Sequence, residues 1–194
     1  MNNCIGMING TYIDPLNFQP EEIKLEDLVI GLSQTCRFNG QLSLNNFYSV
    51  CQHSIMVGKY AGQSSRGGFH AKYLELAGLC HDLIEALSPT SDVPSPSKNK
   101  IAVYAFDKML SVKDYEKEGT KRILQGLGLD YLQSYMGKNN PVHYWDKVMC
   151  NSESYYLRGY KCWDDVAIIK ERIIPRSRQE SYDIFMNRWE YLTK

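Results

Sequence analysis

Apolar residues recur at three- and four-residue steps along most of the chain, a spacing that predicts helices. Residues 25–33 (Leu-Glu-Asp-Leu-Val-Ile-Gly-Leu-Ser) read as a short amphipathic helix. Residues 47–61 read as the next, with Tyr48, Val50, Cys51, Ile55, Met56 and Val57 as its apolar positions. Residues 69–87 read as one buried helix on Tyr73, Leu74, Leu76, Ala77, Cys80, Ile84 and Leu87. Further helices are expected over 101–110 and 112–127, the second broken by Gly126 and Gly128. Pro141, at a favoured first-turn position, opens another with Trp145, Val148, Met149 and Ser152 inward, and 178–192 form the last.

Three stretches depart from this period. Residues 5–13 alternate around Asn9-Gly10, the favoured two-residue hairpin turn. Pro89, Pro94 and Pro96 punctuate a Ser-rich stretch that is expected to be a stiff extended loop, excluding helix and strand. Residues 158–175 show no period. The pattern therefore predicts an all-α bundle with a small N-terminal β-hairpin. It is expected to be a single domain over 1–194, with its core in about 25–156 and a C-terminal helix over 178–192.

Composition narrows the class of partner. The 194 residues are 43% hydrophobic and 23% charged, as in a globular domain able to bury a real core. Lys+Arg and Asp+Glu are both 22, so no broad electrostatic footprint for nucleic acid or an anionic membrane is expected. A charged partner should be small and locally held. No window has the apolar length to span a bilayer. Six cysteines without a C-x-x-C pair or a preceding leader fit a reducing cytoplasm.

Candidate chemistry lies inside the apolar runs. His81-Asp82 interrupts one, and burying both groups is costly unless they are paired or bind a metal. Glu85 follows at four and three residues, so on a helix all three look into one space. A core histidine hydrogen-bonded to its neighbours is the competing reading, for His81 as for His53. Asp146 can reach the rim of its helix's inner face. Arg37-Phe38, at a loop edge, is either a surface pair or an anion contact beside a ring to stack on. The proline loop leaves from the face carrying Glu85, which places Asp92 and Lys98 over the same space.

The ordered set of His53, then His81-Asp82, then Asp146 resembles the HD-domain superfamily of metal-dependent phosphohydrolases. Over most of residues 25–156 the likeness also takes in His81-Asp82-x-x-Glu85, the run Asp92-x-Pro94-x-Pro96-x-Lys98, and Arg37-Phe38 upstream. It is nearest the compact members: bacterial 5′-deoxynucleotidases and short phage deoxynucleoside triphosphate triphosphohydrolases. The resemblance implies that His53, His81, Asp82 and Asp146 hold one divalent ion per chain. Two imidazoles and two carboxylates suit Zn, Co, Mn or Ni, with Mg as an alternative. It further implies that Glu85 handles the attacking water, that Arg37 and Lys98 hold phosphate oxygens, that Asp92 faces the sugar or the leaving oxygen, and that Phe38 lies against the nucleoside. The 5′-deoxynucleotidases carry Trp where this chain has Phe38.

The expected substrate is thus a small nucleotide, a monophosphate cleaved to nucleoside and phosphate. A triphosphohydrolase would need a longer cationic cleft, such as Lys98 with Lys100, Arg122 or Lys147. A catalytically silent nucleotide-binding regulator is the alternative of another class. Assembly into a homo-oligomer stays open.

Overall fold

The structure is a computed structural model that describes residues 4–65, 67–88 and 93–194. Helices dominate: α1 (Leu25–Gln34), α2 (Val50–Gln63), α3 (Gly68–Cys80), α4 (Ser95–Lys98), α5 (Val112–Gly126), α6 (Pro141–Arg158) and α7 (Arg178–Thr193). Two antiparallel hairpins accompany them, β1 (Ile5–Gly6) with β2 (Tyr12–Ile13) and β3 (Ala102–Ala105) with β4 (Lys108–Ser111). The all-α class with an N-terminal hairpin is as the hydrophobic period predicts. Among the described residues no helix is long and apolar enough to cross a membrane.

The centre of the molecule is the antiparallel pair α2–α3, packed backbone to backbone. A Cβ on Gly78 would stand 2.5 Å from the Gly58 Cα, and one on Gly58 would stand 2.7 Å from the Glu75 carbonyl oxygen. Only glycine permits that approach. Around this pair one hydrophobic cluster gathers Leu28, Val29 and Leu32 of α1, Val57 of α2, Leu76 and Leu79 of α3, Leu124 of α5 and Met149 of α6.

The cluster runs past the expected 25–156 limits, taking in Phe18 on one side and Ile169, Ile173, Phe185 and Leu192 on the other. The irregular segment after α6 joins it because two buried amides bind its backbone. The Gln52 side chain donates to the Ile174 carbonyl (2.8 Å) and accepts from the Arg176 N–H (2.9 Å). Asn151 donates to the carbonyls of Trp163 and Val166 and accepts from the Trp163 N–H. Irregular backbone becomes tolerable inside a domain once its polar groups are satisfied in this way.

Four local expectations are corrected. The helix expected over 69–87 stops at Cys80, with Asp82 at φ −110°, ψ 13°, and Leu83–Ala86 form a separate 3₁₀ turn. The His81 ring takes the Gly78 carbonyl at the helix end, while Leu83, Ile84 and Leu87 stay buried, so the apolar pattern crosses the break unaltered. The helix expected over 101–110 is the hairpin β3–β4, with Val103 opposite Leu110 and Tyr104 opposite Met109. Its turn residues Phe106 and Asp107 both have positive φ (52° and 61°), the backbone of a tight hairpin turn. Tertiary contacts hold Phe106 there: its N–H donates to the Leu16 carbonyl, and its ring packs on Phe18 and Tyr115.

The proline stretch does contain helix, the single turn α4, because a proline in a first turn gives up an N–H that would lack a partner anyway. Residues 89–92 lie outside the described residues. At the N-terminus the hairpin loop has three residues rather than two. Met7 pairs with Thr11 (N–H to O, 2.8 Å), and Gly10 takes φ +83°. The Asn9 side chain donates to Asp27 at 2.6 Å and ties the hairpin to α1.

Gly78→Ala should destabilise the protein by about 1–3 kcal/mol, the usual cost of overpacking, despite alanine's better helix propensity. The neighbouring atoms are backbone and cannot move aside. A chemical-denaturation midpoint at or above wild type would contradict this account of the α2–α3 contact.

Candidate functional site

The α2–α3 crossing leaves two histidines side by side at one end. His53 lies one turn into α2, whose N-cap Ser49 accepts from the Gln52 N–H, and His81 caps the end of α3. Their ring centroids are 5.3 Å apart. Each ring has one nitrogen committed. His81 Nδ1 stands 2.7 Å from the Gly78 carbonyl oxygen, and His53 Nδ1 stands 2.7 Å from Glu153 Oε1. Both partners only accept, so each Nδ1 carries a hydrogen and each Nε2 is the nitrogen left to take a cation or a second proton.

Those two Nε2 atoms are buried and have no hydrogen-bond partner among the described residues. Carboxylates stand near them instead. Asp82 Oδ2 lies 3.1 Å from His81 Nε2 and 3.7 Å from His53 Nε2. Asp146 Oδ1 lies 3.2 Å from His53 Nε2 and 4.0 Å from His81 Nε2. Four polar atoms thus converge on one space, an arrangement that needs a cation or protons among them. The group His53, His81 and Asp82 can hold a metal ion, their ligand atoms lying within 4.8 Å of one another. The imidazole–carboxylate separations of 3.1–4.0 Å suit an ion with bonds of ~2.0–2.2 Å, and each committed Nδ1 is the outer support that ligating histidines usually have.

Without a cation, protons answer the same charge. Burial and the Arg37 guanidinium push the His53 imidazole pKa down, but Glu153 and Asp146 outweigh them and hold it at about 10. Burial favours the neutral form of Asp82, yet the His81 and His53 rings and Arg37 keep it well below the usual carboxylate range. Asp146 is likewise lowered, by its contact with His53 against the opposing effect of burial.

Two cavities open from this centre, of about 360 and 540 Å³, and Asp82, Glu85, His143 and Asp146 line both. The larger is walled by Arg37, Phe38, Val93, Pro94, Pro96, Lys98, Lys147, Arg158 and Trp163. The smaller runs along α5 past Lys113, Lys117 and Lys121.

The structure brings together eight of the nine residues singled out from sequence. Asp92 lies outside the described residues. His53, His81, Asp82 and Asp146 form the centre itself. Glu85 is buried beside it on the 3₁₀ turn rather than one turn along a continuous helix. Lys98 reaches the cavity already engaged, 2.9 Å from Glu116 Oε1 and 3.5 Å from Glu85 Oε1. Although burial opposes it, Glu85, Glu116 and Asp82 hold its ammonium charged. Arg37 is buried, with its Nε 3.6 Å from Glu153 Oε2. Phe38 lies at the cavity wall beneath the Arg158 guanidinium (4.8 Å).

Of the cations expected to extend the cleft, Lys147 lines the larger cavity. Arg122 is spent on the Phe18 carbonyl and the Phe106 ring, and Lys100 lines neither cavity.

Sequence reasoning missed Glu153, His143 and Glu116. His143 was the most accessible of these, standing three residues before Asp146 on one face of α6. Glu116 and Glu153 become meaningful only through Lys98 and His53.

Two known proteins are similar to the chain. The uncharacterized protein YfdR of Escherichia coli (strain K12) is 28% identical over 189 residues, spanning 94% of this chain and 90% of its own length. An uncharacterized protein of Rhodobacter capsulatus is 33% identical over 95 residues, 49% of this chain and 46% of its own. No protein-family model matches.

If the convergent acceptors serve a cation, purified protein should carry about one equivalent of a divalent transition metal, in line with its donor set. His81→Ala should lose that metal. Full occupancy in His81→Ala, read by elemental analysis, would place the site elsewhere.

Proposed function

We propose that this chain is a metal-dependent phosphohydrolase of the HD-domain kind, cleaving phosphate esters of nucleotides as a 5′-deoxynucleotidase does. One observation carries the reading. Two buried imidazole nitrogens without a hydrogen-bond partner among the described residues, and two half-buried carboxylates beside them, sit where two cavities meet, with a further carboxylate, Glu85, at the junction.

His53, His81, Asp82 and Asp146 would hold a divalent ion. When bound, such an ion makes water more acidic and offsets charge on a phosphate. The remaining work falls to the chain. Glu85, buried and facing both cavities, accepts a proton from the attacking water. Lys98 stands 3.5 Å from that carboxylate. Arg37 supplies fixed positive charge in the larger cavity, and Phe38 and Trp163 give that cavity flat apolar surface for a nucleoside. His143 is placed to meet the leaving oxygen from the α6 side.

A second reading, cleavage of a nucleoside triphosphate, is favoured by one feature. Lys113, Lys117 and Lys121 stand at successive four-residue steps on the face of α5 that lines the smaller cavity. Like charges at that spacing weaken a helix, and none of the three has an ion pair among the described residues. A chain of phosphates beyond the reacting one would compensate them.

The deciding experiment is product analysis on a panel of deoxy- and ribonucleotides with Glu85→Ala beside wild type. Loss of this general base should slow turnover by about 10²- to 10⁴-fold with the metal retained. Wild-type rates in Glu85→Ala would remove it from catalysis, and no turnover of any nucleotide by the metal-loaded wild type would favour a silent nucleotide-binding protein. Replacing the three α5 lysines with glutamine should selectively impair triphosphate cleavage. Equal effects on mono- and triphosphates would end the second reading.

A further inference from the structure

We infer that Glu153 is a positioning residue for the metal centre, fixing His53 as an Nε2 ligand; the inference rests on the metal-dependent reading above. Glu153 is wholly inaccessible to solvent, and a buried carboxylate is costly unless donors surround it. Its Oε1 accepts from the Tyr48 hydroxyl (3.0 Å) and from His53 Nδ1 (2.7 Å), and its Oε2 faces the Arg37 guanidinium at 3.6 Å. Three elements thus close on one carboxylate.

The position of Glu153 along α6 gives this arrangement its meaning. It follows Asp146 by seven residues, two turns later on the same face, ~10 Å along the axis. The His53 ring spans the gap, with Nδ1 toward Glu153 and Nε2 toward Asp146. One helix therefore stands at both nitrogens of the imidazole, holding it at Nδ1 and leaving Nε2 toward Asp146. If the ring flipped or changed tautomer, it would turn an N–H into the acceptor cluster and leave Glu153 without a donor. Arg37 and Tyr48 are tied to each other by the Arg37 N–H to Tyr48 carbonyl bond (2.9 Å), so the cage around Glu153 is rigid. A stabilising buried ion pair would need only Arg37. The short bond to the imidazole marks the further role.

The test is a graded series read by zinc affinity, in competition with a chromophoric chelator, and by melting of the metal-free protein. Glu153→Gln keeps one acceptor oxygen for Nδ1–H and should weaken zinc binding by about tenfold. Glu153→Leu keeps volume and removes the acceptor, and should weaken it toward about a hundredfold, the usual range for residues that orient metal ligands. Phe185→Leu, a core change on α7, should lower melting while leaving zinc affinity at the wild-type level. Unchanged affinity in both Glu153 variants overturns the inference even if their melting falls. Should Glu153→Leu fail to fold, nitrogen chemical shifts of the histidines in zinc-loaded wild type decide the point. A His53 ring protonated at Nδ1 supports the inference, and one protonated at Nε2 overturns it. Wild type that binds no zinc at any concentration fails the functional reading itself.

Discussion

The contact on which the site depends is between two pieces of backbone. Gly58 and Gly78 let α2 and α3 touch without side chains between them, and the antiparallel run of the pair then fixes a register. His53 lies five residues before Gly58 and His81 three after Gly78, so both rings are carried to the same end of the crossing. At 1.5 Å per residue the offsets are ~7.5 and ~4.5 Å, close enough for two imidazoles to share one space. A wider helix pair, at the ordinary ~8–10 Å separation, would part the rings. The carbonyl end of α3, whose last turn His81 caps, adds negative potential at that place and favours a cation there.

The charges of the site divide by whether the chain itself answers them. Glu153 has Tyr48, His53 and Arg37 around it, and Glu85 and Glu116 share Lys98. These carboxylates are held by donors on the loops and helices that wall the cavities. Asp82 and Asp146 meet chiefly the Nε2 nitrogens of the two imidazoles. A chain of zero formal charge thus keeps a small, deep excess of acceptors at its centre while spending its nearby cations on other carboxylates. The division separates residues suited to hold an ion from residues suited to hold the ligands still.

Much of this was legible in the sequence because it depended on local pattern. A histidine and an aspartate inside an apolar run must have a partner, and the helices that carry them follow from a three-to-four residue period. What escaped was decided by tertiary neighbours. Of Asn151–Ser154 the period places only Ser152 on the inner face, yet every one of those residues is inaccessible to solvent because the segment after α6 folds back over Asn151 and Ser152 and the Arg37–Tyr48 pair encloses Glu153. The break at Cys80 escaped for the opposite reason. The residues beyond it are as apolar as those before, and only the His81–Gly78 bond marks the end of the helix. The β3–β4 hairpin turns at Phe106-Asp107, residues without the usual glycine or asparagine signal, because burial of the Phe106 ring stabilises a backbone its sequence disfavours.

The same trade between local cost and tertiary support explains Phe38. Phe38 and Asn39 both take left-handed backbone, at φ 57° and 50°, and for a bulky aromatic this is a true outlier costing about 1–3 kcal/mol. Such strain persists only where the surroundings over-determine it. Here the bridge between Cys36 and Ser49 and the Arg37–Tyr48 backbone bond clamp the entry to the turn, so the chain must reverse immediately after Arg37. The reversal sends Arg37 inward to Glu153 and leaves Phe38 at the cavity wall beneath Arg158. A relaxed turn would separate the guanidinium from the ring. The strained one delivers both to the same cavity as the acceptor cluster, which is the juxtaposition that a phosphate joined to a flat, apolar base would require.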